Sequence, residues 1–481
     1  MPVLNDTQTG GAIGVVDDLP TGVPCHSRDD LERRLVRKLD LRMSVILVLY
    51  TMNMIDRSNV SNARLQGFEK DLHLRGQQYA TVLSILYVGF LIMQVPGNMF
   101  LHWLERPAIF IPSCMIVWGG ISVLIGTTTN YTGVLVARFF LGFVEAPFLP
   151  GVLFLISGWY KRDELAMRTA LLFSGFLFSS AFGSLFASGI LHGMQGKLGQ
   201  AAWRWLFYIE GGVTILIAIC AIFILPNFPH NTRWLTPEER SLAISRLLED
   251  GYGKADESGK QTTIQGLWDA VFDWKVWWFS VAFMFQYIAH SFMGYFPTLC
   301  ATLGYDTTTT LLLCAPPWAF ATIVAFALTW YSDKKQRRYK YFAASNALGT
   351  LAFTISIFTM NKAARYISLF LMAQLIAGYL VLWGWVNNTF AREPAKRAVA
   401  IALINTIGQI GNIVGPYAWP SKWGPTYRYS YAVSIAAIGV STTMFGGMHL
   451  YLKHLNEQIE RNENVKGIKE LRGPVGFRYL V

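Results

Sequence analysis

Twelve apolar stretches, each close to the about 20 residues that a helix needs to cross a bilayer, divide this chain of 481 residues. The first six run over roughly 41–61, 78–101, 108–127, 133–157, 168–192 and 204–225. The last six run over roughly 275–298, 309–331, 340–359, 365–389, 397–417 and 429–451. Backbone polar groups find no water in lipid, so a stretch of this kind has to be a helix that satisfies them internally. The expected fold is an all-α polytopic membrane protein of twelve transmembrane helices. Residues 226–274 separate a first bundle of six (41–225) from a second (275–451).

The composition agrees. The chain is 53% hydrophobic and only 15% charged, where soluble domains are about 25% charged. Its net charge of +11 does not point to nucleic acid, because the basic residues fall in short runs between apolar segments, the positive-inside pattern. LERRLVRKLDLR precedes the first span, which puts the amino terminus in the cytoplasm. Lys161-Arg162, the 226–274 segment, Lys334-Lys335-Gln336-Arg337-Arg338 and Arg392…Lys396-Arg397 then fall on the same side, with the tail 452–481. The first outer loop is the exception, with Arg57, Arg64, Lys70 and Arg75 partly offset by Asp56, Glu69 and Asp71. Residues 1–40 are polar, without a signal-peptide core, and are expected to be a disordered cytoplasmic tail. The five cysteines (Cys25, Cys114, Cys220, Cys300, Cys314) are scattered and indicate neither a disulfide framework nor a metal site.

The 226–274 segment carries its own signals. Thr236-Pro237-Glu238-Glu239 is a capping box with proline at the first helical position, followed by PEERSLAISRLLED, with Leu242, Leu247 and Leu248 expected on one side. Thr263 to Asp273 is a second amphipathic piece, and GYGKADESGK between them is a flexible linker. The pair is expected to tie the halves together, with regulation as the alternative.

Polar residues inside the apolar stretches are the candidate functional groups, because an ionised side chain at membrane depth costs at least a few kcal/mol and usually faces a protein interior or a water path. Arg138 and Glu145 lie two turns apart on one face of the fourth span, about 10 Å along the axis. Asn405, Gln409 and Asn412 form a stripe on the eleventh. Asn53 and Asp56 lie on the first, although Asp56-Arg57 also reads as an interfacial pair at a span end. Gln286 and His290 lie on the seventh, Asn387 and Asn388 on the tenth, and Glu210 on the sixth. His290 titrates near physiological pH and suits proton coupling. Tyr287, Tyr295, Trp383 and Trp385 are candidates for stacking on a ring or for an interfacial belt. Gly175, Ser179, Gly183 and Ala187 make a small-residue ladder for close helix packing, expected to meet small residues of the eighth span (Ala315, Ala319, Ala321, Ala325) where one half rocks on the other. Asn130-Tyr131-Thr132 is a glycosylation sequon in an expected outer loop. No nucleotide-binding glycine loop, HExxH, CxxC or GxSxG constellation is present, so neither an ATP-driven pump nor an enzyme is indicated, and no cofactor.

Four stretches carry a family resemblance: IDRSNVSNARLQGFEKDLHLRGQQY, ARFFLGFVEAPFLPG…GWYKRDELAMR, AWRWLFYIEGGVT with LPNFPHNTRWLTPEER, and GYDTTTTLLLCAPPWA with YSDKKQRR. Together the chain resembles the major facilitator superfamily over about residues 40–460. Within it, the chain is similar to the fungal anion:cation symporters, the allantoate permease-like branch that includes nicotinate and pantothenate permeases. The resemblance implies two pseudo-symmetric six-helix bundles, alternating access, a small organic anion and protons as partners, function as a monomer, and the plasma membrane as location. Arg138 and Gly142 match the RxxxG of the fourth helix, where the arginine is implicated in proton coupling. Asp333, Arg337 and Arg338 match the gating loop of the second half. The equivalent loop of the first half departs, since HWLERP keeps only Glu105-Arg106. The fifth span lacks the Gly-Pro pattern of the drug/proton antiporters, which favours symport. On this reading Arg138 supplies positive potential either to the substrate carboxylate or to Glu145, and Glu145 takes a proton when Arg138 is occupied by substrate. An exporter of an anionic metabolite and a non-transporting nutrient sensor are the alternatives.

Overall fold

The computed structural model describes residues 25–104, 106–232, 234–249, 263–390 and 394–466, and every regular element among them is a helix. Twelve helices take the places of the expected spans: α1 (Cys25–Ala63), α2 (Gln78–Leu104), α3 (Pro107–Thr127), α4 (Tyr131–Ser157), α5 (Arg162–Gly193), α6 (Ala202–Ile224), α7 (Trp274–His290), α8 (Thr307–Lys335), α9 (Arg338–Phe358), α10 (Lys362–Thr389), α11 (Lys396–Ala418) and α12 (Arg428–Lys466). Ten of these are long and apolar enough to span a bilayer by length and composition. The other two are α1, whose apolar run is interrupted by Asn53, Asp56, Arg57 and Asn59, and α7. The latter stops after 17 residues and continues as a tight turn, Ser291–Tyr295, and a short helix, Phe296–Ala301.

Helix pairing repeats between the halves. In the first half α1 packs on α5 and α6, α2 on α4, and α3 on α4 and α6. In the second half α7 packs on α11 and α12, α8 on α10, and α9 on α10 and α12. Adding six to each helix number converts one set into the other. Both α4 and α10 are also broken at mid-length, α4 at Ala146-Pro147 and α10 at Gln374. Pro147 has no N–H to give the ladder. The closest crossing in the first half is α2 on α4: a Cβ on Gly142 would lie 1.9 Å from the Leu86 carbonyl oxygen, so only glycine fits there.

Between the halves α5 meets α8 and α2 meets α11. The small-residue ladder does not make this contact, contrary to expectation. Gly175 faces Thr51, Leu47 and Tyr50, and Gly183 faces Ile55 and Ser58, all on α1 of the same half. Ser179 is buried and returns its hydroxyl to the Phe176 carbonyl. α5 has two working faces, and its contact with the other half includes Ser188, which donates to the Thr308 carbonyl at 3.2 Å.

α1 begins well before the bilayer, so residues 25–40 are helical rather than an unstructured tail. Leu35 and Leu39, one turn apart, are fully buried, while charged neighbours pair outward: Glu32 with Lys161 (2.8 Å), Asp40 with Arg168 (2.8 Å) and Lys38 with Glu239. The capping box forms as read, with both Thr236 and Glu239 side chains returning to backbone N–H groups at 3.2 Å. The helix it starts, Pro237–Glu249, lies on the first half through Arg246, which pairs with Glu164 at 2.5 Å and Glu32 at 3.5 Å. Leu242 and Leu247 are buried there, but Leu248 points outward. The helix Thr263–Val271 packs on α11, and Asp273 beyond it pairs with Lys396 at 3.0 Å. Each linker helix thus belongs to one half. The expected flexible linker (250–262), most of the amino-terminal tail (1–24), Glu105 of the first-half gating pair, Arg392 and the carboxyl-terminal residues 467–481 lie outside the described residues.

Candidate functional site

α1 presents Tyr50, Asn53 and Arg57 at i, i+3 and i+7, a spacing that keeps them on one face. Opposite them, at the last turn before the break in α4, stands Glu145. Arg57 Nε donates to Glu145 Oε1 at 2.5 Å, and Asn53 Nδ2 donates to the same oxygen. Glu145 is buried and its Oε2 has no partner, whereas the Arg57 side chain keeps 22% exposure. The Arg57 guanidinium also sits 5.1 Å from the Phe90 ring and 6.0 Å from the Tyr87 ring of α2.

This arrangement corrects two expectations. Arg57 is not a loop or interfacial charge; α1 continues to Ala63 and carries Arg57 into the protein interior. Glu145 is paired with Arg57 on α1, and among the described residues no ion pair joins it to Arg138. Arg138 is buried, donates through Nε to the Val82 carbonyl at 3.4 Å, and leaves Nη1 without a partner. Arg138 thus faces the α2 backbone. Arg57 is the cation of the pair with access to solvent.

The second half faces Arg57 with tyrosines. The hydroxyls of Tyr287 (α7) and Tyr379 (α10) lie 2.8 Å apart, and Tyr287 donates to Asn405 Oδ1 of α11 at 3.5 Å. Tyr287 is within electrostatic reach of Tyr87 and Arg57, and Tyr379 of Tyr50. His290 lies behind them, its ring 5.7 Å from Tyr379, with Nδ1 bonded to the Gln286 carbonyl at 2.7 Å and Nε2 unpartnered. Tyr50, Asn53, Arg57, Glu145, Tyr287, Tyr379 and Asn405 therefore converge from both halves on one central space.

Several expected site residues point elsewhere. Asp56 turns from this space toward α3 and α6. Gln286 is fully buried among α7, α9 and α12, bonded to Asn346 at 3.2 Å and to Ser441 at 2.8 Å. Asn387 is exposed and returns its amide to the Trp383 carbonyl of its own helix at 3.0 Å. On α11 only Asn405 meets the tyrosines, since Gln409 and Asn412 bond each other at 2.5 Å. Trp385 is fully buried in the second half's own core, and Tyr295 stacks on Trp419 with ring centroids 5.7 Å apart. Asn130 is exposed and caps α4, its Oδ1 accepting from Gly133 N at 2.8 Å.

Hydrogen bonds between the halves gather at one end, where Arg64 is the hub. Its Nη1 donates to Thr298 at 3.2 Å and its Nη2 to Ser421 at 2.9 Å, both in the second half, while Nε pairs with Glu69 at 3.0 Å. The guanidinium lies 4.2 Å from the Tyr79 ring and 5.2 Å from the Tyr295 ring. Tyr417 donates to Thr81 at 3.0 Å, and Ser84 to the Ile413 carbonyl at 2.6 Å. The deepest such bond joins Thr406 to Gln94 at 3.2 Å. At the opposite end Asp333 pairs with Arg338, whose Nη1 donates to Ser332 at 3.4 Å, while Arg337 is exposed. Among the described residues no ion pair joins the two six-helix halves. The molecule is clasped at the Arg64 end.

Sequence reasoning placed Arg57 and Arg64 in a loop and gave them no role. The available signal was the unbroken helical register through Ser58 and Asn59, which keeps Arg57 on the face of Tyr50 and Asn53.

The family profile described as Major Facilitator Superfamily matches residues 46–416. The MFS-type transporter efuF of Hormonema carpetanum is 30% identical over 95% of this chain and 92% of its own length. The MFS-type transporter cnsO of Penicillium expansum is 32% identical over 87% of this chain and 83% of its own. Among solved structures, a bacterial homolog of the human lysosomal transporter Spinster superposes with a TM-score of 0.60 at 17% identity, covering 84% of this chain and 93% of that one. A D-xylose–proton symporter gives 0.59 at 14% identity, covering 82% and 96%.

Proposed function

The chain belongs to the major facilitator superfamily of secondary membrane transporters, and we propose that it imports a small organic anion together with protons. One observation carries this reading: the solvent-reachable Arg57 is neutralised by Glu145 in the central space between the halves. An incoming carboxylate takes the Arg57 guanidinium from Glu145. The released carboxylate is then an unpaired buried charge, which is costly, and it takes a proton from water. Anion and proton are thereby loaded together. Arg138 contributes positive potential from behind, and Tyr287, Tyr379 and Asn405 offer hydrogen bonds and ring faces to the rest of the substrate, which suits a carboxylate on a small ring such as a vitamin, or a ureide.

The clasp at one end suits alternating access. The Arg64 end is shut by hydrogen bonds between the halves, and among the described residues none of them lies at the basic end around Lys161 and Lys334. By the distribution of basic residues the Arg64 end faces outward, both termini are cytoplasmic, and this conformation opens to the cytoplasm. The plasma membrane is the site of action, the monomer is the transporting unit, and Asn130 is available to a glycan on the outer face.

The test is uptake of labelled organic acids into liposomes holding the purified protein, with an imposed proton gradient. Anion accumulation that follows an inward proton gradient, and that loses its pH dependence in Glu145→Gln, is the expected result. Accumulation driven only by an outward-directed gradient makes the protein an exporter, and uptake indifferent to protons removes the coupling.

A further inference from the structure

Asp56 leaves the central space for a second polar cluster enclosed by α1, α3 and α6. Trp118 Nε1 of α3 donates to Asp56 Oδ2 at 3.2 Å, and Thr214 of α6 donates to the same atom at 3.1 Å. α1 runs parallel to α3 and antiparallel to α6. One turn further along all three helices, the next layer is Asn59, Ser122 and Glu210. These three are buried, with Asn59 and Ser122 fully so and Glu210 4% exposed. None of their side-chain polar atoms has a hydrogen-bond partner, and neither does Asp56 Oδ1. The layer is tightly closed: a Cβ on Gly211, next to Glu210, would lie 2.8 Å from the Gly119 carbonyl oxygen of α3.

Two carboxyl groups thus lie within electrostatic reach of each other in an apolar enclosure. The charged groups that reach Asp56 from α4 are Arg138 and Glu145. Arg57, its chain neighbour, points the other way into its pair with Glu145. α3 supplies only Cys114, α6 otherwise Cys220 and, toward its start, Arg204 and Tyr208, which both donate to the Gly126 carbonyl of α3 at 2.7 and 2.9 Å, and the middle of α5 carries no titratable group. No cation is therefore placed to neutralise both acids, and two carboxylates sharing such a site do not both stay ionised.

The second half shows that this position does not require acids. At the equivalent place among α7, α9 and α12 stand Gln286, Asn346, Ser441 and Thr442, neutral and mutually bonded at 3.2, 2.8 and 2.8 Å. Amides and hydroxyls satisfy the repeat there, whereas the first half carries a carboxyl pair with orphaned atoms.

We propose that Glu210 and Asp56, with Asn59, form a second proton-binding site, separate from Glu145 and off the substrate path. A single proton on Glu210 removes its charge and adds a donor beside the Asn59 amide and the Ser122 hydroxyl, leaving Asp56 ionised against Trp118 and Thr214. Asp56 and Arg57 occupy successive positions on α1, so a movement of that helix at the centre is felt by both sites. The site holds its proton whether or not Glu145 couples transport.

Infrared spectroscopy of the full-length protein in lipid nanodiscs tests this directly. Wild type at neutral pH should show a protonated carboxyl C=O band that shifts in D2O. Glu210→Gln should lack it, with one protonated carboxyl fewer per molecule, while Glu145→Gln keeps it. Glu210→Asp, which retains an acid should the amide variant fail to fold, should shift the band rather than abolish it. The absence of such a band in wild type, its persistence in Glu210→Gln, or its removal by added Na⁺ at constant pH (a metal cation as occupant) overturns the proposal. Uptake kinetics of Glu145→Gln, read separately, report on the central coupling alone.

Discussion

Arg57 on α1 and Glu145 on α4 close an ion pair at 2.5 Å, and Asn53 donates to the same carboxylate oxygen. Arg57 keeps access to solvent while Glu145 does not, so the two ends of the pair respond differently to a substrate. On the proposed function, an anion reaches the guanidinium first, and the carboxylate is left to find a proton.

Removing Arg57 alone should therefore be worse than removing the pair. Arg57→Ala leaves a buried carboxylate uncompensated, at a cost of about 3 kcal/mol, and abolishes anion uptake. Adding Glu145→Gln to it should restore most of the thermal stability but not the uptake. Unfolding temperatures of the two singles and the double, together with uptake assays, measure this. Equal destabilisation in Arg57→Ala and the double variant contradicts it. Arg57→Lys should fold but transport poorly, because the fork geometry of guanidinium is lost.

Gly142→Ala should destabilise the first half. The new Cβ meets the Leu86 carbonyl at 1.9 Å, backbone against backbone. Overpacking costs about 1–3 kcal/mol, and the upper part of that range is expected because no side chain can step aside. A melting temperature within error of wild type would show that α2 and α4 separate freely.

Opening of the clasp can be read from a native cysteine. Cys300 is fully buried, on the short helix that also carries Thr298, the acceptor of Arg64. Arg64→Ala removes the bonds to Thr298 and Ser421 and should raise the rate of Cys300 labelling by a membrane-impermeant thiol reagent several-fold. Unchanged labelling, quantified by mass spectrometry, means the aromatic contacts among Tyr79, Tyr295 and Trp419 hold that end alone.

The linker helix Pro237–Glu249 should detach in acid. Burial pushes the Glu32 carboxyl up, but bonding to Lys161 and the charge of Arg246 outweigh it and hold the group below its usual range. Burial likewise raises Glu239, and Lys38 with the Thr236 N–H brings it below that range. A carboxyl whose folded value is lowered stabilises the docked state above its unfolded value, about 4.3, and loses that contribution as pH falls through the folded one. The protection of amides along 237–249 against hydrogen exchange, corrected for the intrinsic pH dependence of exchange, should be flat from neutral pH down to about pH 5 and fall below the usual carboxylate range. A fall only near neutral pH points to a histidine instead.

Much of the fold was legible along the chain. Twelve helices, the division into two sets of six by the 226–274 segment and the capping box at Thr236 follow from segment length, hydropathy and backbone rules, all of which act locally, whereas Gly142 was singled out only by its match to the RxxxG pattern. The site was legible only in part. Arg138, Glu145 and Asn53 stand out as polar groups in apolar runs, but which cation meets Glu145 is a property of two helices whose registers meet only after packing. Hydropathy alone underrated Arg57, because a charge near the expected end of a span is indistinguishable from a loop charge until α1 is seen to run on to Ala63. The ladder Gly175-Ser179-Gly183 announced a close helix contact, but the eighth span expected to meet it is not its partner: small residues admit any helix, and α1 packs there instead.

The sequence by itself determined that this is a helical bundle in a membrane, because unsatisfied backbone in lipid leaves no alternative, and where its costly polar groups lie. Only the tertiary structure decided their partnerships: Arg57 with Glu145, Asp56 with Trp118 and Thr214, Arg64 with Thr298 and Ser421. Each pairs residues from helices far apart in the chain, and hydrogen bonds are short-ranged and directional. A shift of one residue in either helix would have chosen different partners.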